Sequence, residues 1–372
     1  MTANGEKVRV GILTWHYFSN VGSNLQAWAM QHVLEDMGFD ACFVNYRRRE
    51  FDGERFPRGV VKAFLDYLPF GPSFDTWRFQ RDELRQTRKT YDPVEARSIC
   101  GEFDALVCGS DQIWAPNVFN PVYMLDGVED GVRKVSYAAS IGLPDIPADL
   151  RGQYKSLLSR FDSIGVREDQ GRDLIVNELG LDATVVLDPT FLVARDTWLS
   201  LADGTRAAHE LYIFCYFLGA PSRYVDAVES AARETGLRVV AYLPEARDAE
   251  LPGCQTLRKM AVPEFLRWLS GASLVLTDSF HGIALSANLG IDFLAYRRFD
   301  EGDALNQNSR VLNILGKLGL LNRLMPPDGC DLAKIDWVAV STRLNTEVAL
   351  SKTFLSEALS GVGTVSDAQS CV

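Results

Sequence analysis

The sequence lacks the short motifs that mark the commonest nucleotide, hydrolase and metal sites. It has no G-x-G-x-x-G after the first apolar run and no G-x-x-x-x-G-K-[ST], so neither a dinucleotide site nor a P-loop is indicated. G-x-S-x-G, H-E-x-x-H and a Cys/His ligand set are also missing, which removes the readings of a serine hydrolase and of a zinc enzyme. We therefore expect chemistry that uses no metal and no cofactor.

Further classes are excluded by composition. The seven cysteines include no C-x-x-C pair, so a reducing compartment is favoured over a disulfide framework. The formal charge of −11 argues against a nucleic-acid partner. No run of about 18 apolar residues occurs, and no signal peptide precedes the first predicted strand, so we expect a cytoplasmic protein. One arginine cluster offers a peripheral membrane contact, although charge runs are more often solvated faces: Arg47, Arg48, Arg49, Arg55 and Arg58.

Short apolar runs alternate with amphipathic stretches, which is the pattern of βα units around a parallel sheet. Strands are predicted near 8–14, 41–45, 104–108, 133–138, 162–166, 184–187, 211–217, 238–243, 273–277 and 292–296. Helices are predicted near 23–37, 75–89, 148–160, 168–179, 221–235, 262–270, 281–289, 308–319 and 332–358. The pattern restarts after Leu187-Asp188-Pro189-Thr190, where the Asp-Pro step favours an extended hinge. We predict an α/β protein with domains at 1–190 and 191–330, a helix at 331–360 that packs back across both, and a disordered tail at 361–372.

A first polar cluster follows the first predicted strand, between Trp15 and Asn24. Gly22 allows close backbone approach, and Ser23 or Asn24 is placed to cap the next helix, which leaves backbone N–H groups for an anion. An ordinary capped loop explains the same residues equally well. His16 lies in this cluster but carries no weight by itself.

A second cluster, Gly109-Ser110-Asp111-Gln112-Ile113-Trp114, follows the strand near 104–108. It combines hydrogen-bond donors, an acceptor and an indole surface, a set that suits polyhydroxylated ligands. Asp111 is a candidate base for a sugar hydroxyl, and a turn aspartate is the equal alternative.

The third cluster, Thr277-Asp278-Ser279-Phe280-His281-Gly282, ends a buried strand at the edge where parallel sheets bind ligands. His281 can donate a proton or bind phosphate or carboxylate, and Gly282 and its neighbours offer N–H groups to the same anion. Arg167 also follows an apolar run and can grip an oxyanion, although an ion pair with Glu168 or Asp169 is an equal explanation.

These motifs together resemble the polysaccharide pyruvyl transferase family from about Gly11 to about Asn322. The similar strings are Asn20-Val21-Gly22-Ser23-Asn24-Leu25-Gln26, Gly109-Ser110-Asp111-Gln112-Ile113-Trp114, Ser163-Ile164-Gly165-Val166-Arg167-Glu168, Leu187-Asp188-Pro189-Thr190 and the histidine motif. The resemblance implies two Rossmann-like parallel-sheet domains facing a cleft, similar to GT-B glycosyltransferases, with the acceptor on the N-terminal and the donor on the C-terminal side.

The implied reaction moves pyruvate from phosphoenolpyruvate onto two hydroxyls of a sugar and gives a cyclic ketal on a cell-surface polysaccharide or its lipid-linked precursor. By the same resemblance, His281 protonates the donor, Arg167 holds its charged groups and Asp111 relieves the hydroxyl. The remaining polar residues of the motifs are expected to bind substrate: Asn20, Gly22, Ser23, Gln26, Gly109, Ser110, Gln112, Asp278, Ser279 and Gly282.

The chain departs from the family at Ser279, where characterised members often carry arginine. A cation that binds the donor is then either missing from this chain or supplied by Arg297, Arg298 or Arg310. Two other readings stay open. A glycosyltransferase that uses a nucleotide-activated sugar predicts that Glu264 or Asp278 contacts ribose, and a noncatalytic sugar-binding protein predicts that His281→Ala leaves function intact.

Overall fold

Two parallel sheets, each of six strands, organise the described part of the chain. A computed structural model describes residues 7–48, 74–202, 211–244, 251–303 and 305–362. The first sheet has the order β2-β1-β3-β4-β5-β6, with β1 Arg9–Leu13, β2 Asp40–Phe43, β3 Ala105–Cys108, β4 Arg133–Ala139, β5 Ser163–Val166 and β6 Thr184–Val185. The second has the order β12-β11-β10-β7-β8-β9, with β7 Tyr212–Tyr216, β8 Arg238–Tyr242, β9 Gln255–Leu257, β10 Leu274–Thr277, β11 Phe293–Tyr296 and β12 Leu324–Met325.

Helices connect these strands as the alternating pattern requires. In the first half they are α1 Val21–Asp36, α2 Phe74–Glu83, α3 Pro93–Cys100, α4 Ala148–Leu158 and α5 Asp169–Asp173, which continues as a π-helix over Leu174–Leu179. In the second half they are α6 Arg195–Leu201, α7 Val225–Thr235, α8 Val262–Ser270, α9 Phe280–Leu289, α10 Ser309–Leu318 and α11 Trp337–Ala358. Among the described residues, none of these helices is long and apolar enough to cross a membrane.

The register of the central strands brings their carboxyl ends into line. Leu13 of β1 pairs with Cys108 of β3, and Thr277 of β10 pairs with Tyr216 of β7. Because parallel strands that end in the same row deliver their following loops to one edge, the three polar clusters reach the same side of their sheets. The α/β architecture with two parallel sheets is therefore confirmed.

Several predicted element boundaries are wrong. The predicted helix at 75–89 ends at Glu83, because the following residues are extended and form bridges to Phe43 and Tyr46. The last helix begins at Trp337 rather than at residue 332, because Asp336 is its N-cap. Helices α3 and α6 and strands β9 and β12 were not predicted, since each is too short to show a clear period.

Asp188 has the extended backbone that the Asp-Pro step predicts, with φ of −56° and ψ of 143°, but the segment after β6 is a buried turn and not a hinge. Asp188 and Thr190 are almost wholly buried, and Pro189–Phe191 forms a 3-10 turn. Asn288 of α9 donates through Nδ2 to the carbonyls of Thr190 (3.0 Å) and Val193 (3.1 Å). The turn is consequently held by the second half of the chain at the centre of the molecule.

The closing helix α11 contacts elements of both sheets. Ser351 accepts the backbone N–H of Leu187 through Oγ at 2.9 Å, beyond the last strand of the first sheet. On another face, Glu347 pairs with Lys317 of α10 at 2.6 Å. The predicted tail lies outside the described residues from 363 onward, as do Arg49, Arg55 and Arg58 of the arginine cluster.

Ser351→Ala should weaken the docking of α11. The change leaves the Leu187 N–H buried without an acceptor, so the free energy of unfolding should fall by about 1–3 kcal/mol. Ser341→Ala, an exposed serine of the same helix, is the matched control and should shift it by less than about 0.5 kcal/mol. Denaturant unfolding measures both, and equal effects from the two variants would contradict the role of Ser351.

Candidate active site

A cleft of about 620 Å³ opens where the loops of the two sheets meet. The loops of the first sheet contribute polar residues of the first two clusters, and those of the second sheet contribute the histidine motif and a cationic wall. The polar lining includes Asn20, Ser23, Asp111, Gln112, Asp278, Ser279, His281, Arg298, Gln307, Asn308 and Arg310.

The start of α1 sets the position of His281, the catalytic candidate that follows β10 of the second sheet. Asn20 caps the helix, since its Oδ1 accepts the N–H of Ser23 at 3.2 Å; the predicted caps Ser23 and Asn24 are therefore wrong. Gly22 packs against His281: a Cβ at this position would lie 2.3 Å from Nδ1 of the imidazole. Glycine is thus required for the histidine to occupy its place.

Ser23 and Gln26 have different surroundings although they share a helix. Ser23 lies in the cleft wall, where its Oγ donates to Oδ2 of Asp111 at 2.8 Å. Gln26 is fully buried; its Nε2 donates to Thr14 Oγ1 at 3.1 Å, and its Oε1 accepts the N–H of Ser110 at 3.2 Å. Gln26 consequently fixes the loop after β3 from behind and does not line the cleft.

The loop after β3 turns sharply enough to place Asp111 in the cleft. Gly109 has φ of +120°, and a Cβ there would lie 2.1 Å from the carbonyl oxygen of Tyr137. Asp111 adopts φ of +71°, and its Oδ1 accepts the N–H of Gln112. Trp114 is not the stacking surface that the motif suggests, because it is fully buried and donates to the carbonyl of Tyr123.

Aromatic surface is supplied instead by Trp15 and Phe18, which line the cleft with ring centroids 5.5 Å apart. Neither residue was predicted to bind substrate, although both lie in the first cluster. His16 between them is buried and points away, with Nδ1 3.1 Å from the carbonyl of Thr14. Burial lowers the pKa of His16 to about 4, so this histidine is a neutral core residue.

An ion pair beneath the cleft joins Arg167 and Asp188. Nη1 of Arg167 lies 2.9 Å from Oδ2 of Asp188, and both side chains are 1% exposed or less. Nη2 lies 3.7 Å from Oδ1 of Asp111, and the guanidinium stacks 4.5 Å over the ring of Phe280. Arg167 therefore connects the second cluster to the third.

The alternative partners considered for Arg167 are wrong. Glu168 turns away, and its Oε1 accepts the N–H groups of Ile141 and Gly142. Asp169 pairs with Arg172 at 3.1 Å. Arg167 itself is enclosed rather than at the cleft surface, and its Nη2 and Nε have no hydrogen-bond partner among the described residues.

Asp188 is the central acceptor of this network and was missed as a site residue. Its Oδ2 accepts the hydroxyl of Ser110 at 2.6 Å, and its Oδ1 accepts the N–H and hydroxyl of Thr190. Burial raises its pKa, but the charge that His281 carries when protonated, the charge of Arg167 and these hydrogen bonds outweigh burial, so the pKa lies below its ordinary value. Its signal in the sequence was a carboxylate directly after an apolar run.

His281 lies at the start of α9, with Ser279 as the N-cap. Its Nε2 is enclosed, lies 3.9 Å from Oδ2 of Asp188 and has no hydrogen-bond partner in the described part of the chain. Burial lowers the pKa of His281. The carboxylates of Asp188 and Asp111 partly offset this effect, and the charge of Arg167 adds to the lowering. The imidazole is therefore neutral at pH 7 in the empty cleft.

The neighbours of His281 are engaged within the protein. The N–H of Gly282, expected to serve an anion, donates to Oγ of Ser279 at 3.4 Å. Asp278 accepts the N–H groups of Leu218 and Gly219 at 2.8 and 2.7 Å, and the hydroxyl of Tyr224 at 3.0 Å. Asp278 thus ties the loop after β7 to the edge of the cleft.

Two arginines line the wall formed by the second sheet. Arg298 and Arg310 belong to the cleft, whereas Arg297 points outward and pairs with Glu301 at 2.9 Å. Glu264 does not reach the cleft either, because it lines a separate groove beside α2. Within the described part of the chain, no group of three or more His, Cys, Asp or Glu side chains is placed to hold a metal ion.

Two parallel α/β sheets whose strand ends meet at one polar cleft define a protein of the GT-B type. The chain belongs to the polysaccharide pyruvyl transferase family, whose sequence model matches residues 20–298. The second and third clusters, the Arg167–Asp188 pair and residues 20–24 of the first cluster lie within the matched region. No curated protein sequence matches the chain.

One solved structure of low identity shares the fold, and two others align over most of their length with lower TM-scores. UDP-GlcNAc 2-epimerase from Neisseria meningitidis, bound to UDP-GlcNAc, aligns with a TM-score of 0.52 at 9% identity, over 95% of this chain and 99% of that one. The epimerase from Methanocaldococcus jannaschii gives 0.49 at 10% identity, over 92% and 93%. ADP-heptose LPS heptosyltransferase II from E. coli gives 0.39 at 12% identity, over 93% and 100%. At these identities the likeness concerns the fold alone.

Gly22→Ala should displace His281 while the protein stays folded. The new Cβ would overlap the imidazole, and a displacement of about 1 Å at a catalytic group costs roughly 100-fold in rate. Gly152→Ala, at an exposed position of α4 with no neighbour within 4 Å, is the matched control and should retain full activity. Steady-state kinetics with thermal unfolding measures both, and full activity of Gly22→Ala would contradict the contact.

Proposed function

We propose that this protein transfers pyruvate from phosphoenolpyruvate to two hydroxyls of a sugar, forming a cyclic ketal. One observation carries the proposal: His281 and Asp111 line the same cleft, and both are coupled to Arg167 and Asp188 beneath it. An acid, a base and cationic groups are the set that this reaction needs. Membership of the family supports a transferase of this class.

His281 is proposed as the acid that protonates the donor. It is neutral in the empty cleft because burial lowers its pKa. A bound anionic donor raises that pKa, since a negative charge nearby favours the imidazolium. Asp188, 3.9 Å from Nε2, stabilises the same cation from the opposite side. Nδ1, which lies beside Gly22 and forms no hydrogen bond with the described residues, is proposed as the nitrogen that delivers the proton.

The proposed reaction begins with proton transfer to the donor and ends with ring closure on the sugar. The proton of His281 goes to the methylene carbon of phosphoenolpyruvate, and the adjacent carbon becomes an oxocarbenium ion. A sugar hydroxyl adds to this carbon while Asp111 takes its proton. The carbon–oxygen bond to phosphate then breaks, and phosphate leaves with the proton that Asp111 had taken. The second hydroxyl adds to the same carbon and closes the ring, and its proton goes to His281, which restores both groups.

The two sides of the cleft suit different substrates. We propose residues 1–190 as the acceptor domain, because Trp15 and Phe18 offer aromatic surface and Asn20, Ser23 and Gln112 offer hydrogen bonds to a sugar. Residues 191–330 are proposed as the donor domain, since its wall carries the arginines. The acceptor is a sugar of a polysaccharide or of a lipid-linked oligosaccharide.

The purified protein should release phosphate from phosphoenolpyruvate only when a glycoside acceptor is present, and mass spectrometry should detect the ketal. His281→Gln should lower turnover by about 10²- to 10⁴-fold, the usual contribution of a general acid. His32→Gln, on the outer part of α1, is the control and should retain turnover.

Other outcomes would redirect the assignment. Binding of a UDP- or ADP-sugar without binding of phosphoenolpyruvate would favour a glycosyltransferase. Sugar binding that His281→Gln leaves unchanged, with no product from any donor, would favour a noncatalytic role. Either result would contradict the proposed reaction.

A further inference from the structure

The first turn of α10 presents hydrogen-bond donors that no described residue satisfies. Asn308 precedes the helix but does not cap it, because its side chain bonds to the backbone of Phe299. The backbone N–H groups of residues 309–311 have no acceptor among the described residues. Ser309 Oγ is also buried without a partner. Such a helix end carries partial positive charge and favours an anion.

Two guanidinium groups flank this helix end, and a neutral side chain holds both. Oε1 of Gln307 accepts from Nη2 of Arg310 at 2.9 Å and from Nη2 of Arg298 at 3.2 Å. Neither arginine forms an ion pair with a carboxylate of the described residues, and Nη1 of Arg310 makes no hydrogen bond there. An amide orients these cations without neutralising them.

Arg310 makes this arrangement costly in an empty cleft. Its side chain lines the cleft, although the residue is only 8% exposed. Burial lowers the pKa of Arg310 to about 9, the charges of Arg167 and Arg298 add to the lowering, and Glu168 and Asp111 partly oppose it. A buried cation without an ion-pair partner among the described residues is unfavourable, and an arriving anion offsets this cost.

We propose that the start of α10, with Arg298 and Arg310, binds a phosphate group. Phosphate has several acceptor oxygens and accepts bonds from guanidinium groups and from helix N–H groups together. Arg310 and His281 line the same cleft, so a phosphate bound at Arg310 lies in the cleft that holds the proposed acid. Assigning this phosphate to the donor rests on the proposed function, whereas the phosphate site itself does not.

Calorimetric titration of the full chain with inorganic phosphate tests the site. The wild-type protein should bind, and Arg310→Gln and Arg298→Gln should each bind about 10- to 100-fold more weakly. Arg297→Gln, the outward-facing neighbour, should bind as the wild type does. Absence of phosphate binding to the wild type, or equal binding by all four proteins, would overturn the proposal.

Thermal unfolding must first show that the variants are folded. If buried Arg310 does not tolerate the change, Arg298→Gln and Gln307→Ala carry the test, and both should weaken phosphate binding. The KM for phosphoenolpyruvate should rise in the same variants while the KM for the acceptor stays constant. If phosphoenolpyruvate is turned over with an unchanged KM in every variant, this inference fails and the proposed function stands.

Competition identifies the source of the phosphate. Displacement of inorganic phosphate by phosphoenolpyruvate supports the donor assignment. Displacement by an isoprenyl diphosphate alone supports the phosphate site but overturns that assignment, because the phosphate would then belong to a lipid-linked acceptor. Loss of phosphate binding in the variants together with absent turnover of phosphoenolpyruvate would likewise keep the site and reject the donor.

Discussion

Arg167 and Asp188 form an ion pair that is almost wholly removed from solvent, and the geometry of the cleft depends on it. Taking two charges out of water is expensive, so such a pair persists only where further hydrogen bonds complete it. Ser110 and Thr190 provide them on Asp188, and Phe280 covers the guanidinium. Removing one partner of a buried pair typically costs about 3–5 kcal/mol. Residues distant in sequence are thereby fixed around one charge pair.

The same pair determines the electrostatics of the catalytic candidate. His281 lies between two carboxylates that favour its charged form and two arginines that oppose it, inside a site where burial opposes charge most strongly. The imidazole is consequently neutral when the cleft is empty. On the far wall, Gln307 holds Arg298 and Arg310 through hydrogen bonds, and neither arginine forms an ion pair with a carboxylate of the described residues. A substrate anion would satisfy both conditions, since it neutralises the arginines and favours the protonation of His281.

Local signals in the sequence were sufficient for the sheets and for most of the site. An apolar run that ends in polar residues marks a strand end, and this rule located Asp111, His281 and Arg167. It did not separate residues that line the cleft from those that support it, because burial depends on partners far away in the chain. Gln26 and Ser110 therefore lie behind the wall, although their motifs suggested contact with substrate.

Other features could not be read from the sequence for similar reasons. Asp188 looked like part of a hinge because Asp-Pro favours extended backbone, and only the packing of Asn288 against the next residues makes it central. Trp114 looked like a stacking surface, but its indole N–H found an acceptor in the core. Arg297, Arg298 and Arg310 were the predicted candidates for the missing cation, but only the structure shows that Gln307 holds Arg298 and Arg310 together at the cleft wall.

A titration of His281 by NMR, with and without phosphoenolpyruvate, tests the central claim most directly. The chain has four histidines, so His281→Gln identifies the resonance. We expect His281 to have a pKa below 6.5 in the free protein and a higher pKa when phosphoenolpyruvate is bound. A pKa of His281 above 6.5 in the free protein would contradict an acid that burial keeps neutral. A pKa that does not change when phosphoenolpyruvate binds would contradict protonation of His281 by the arrival of its substrate.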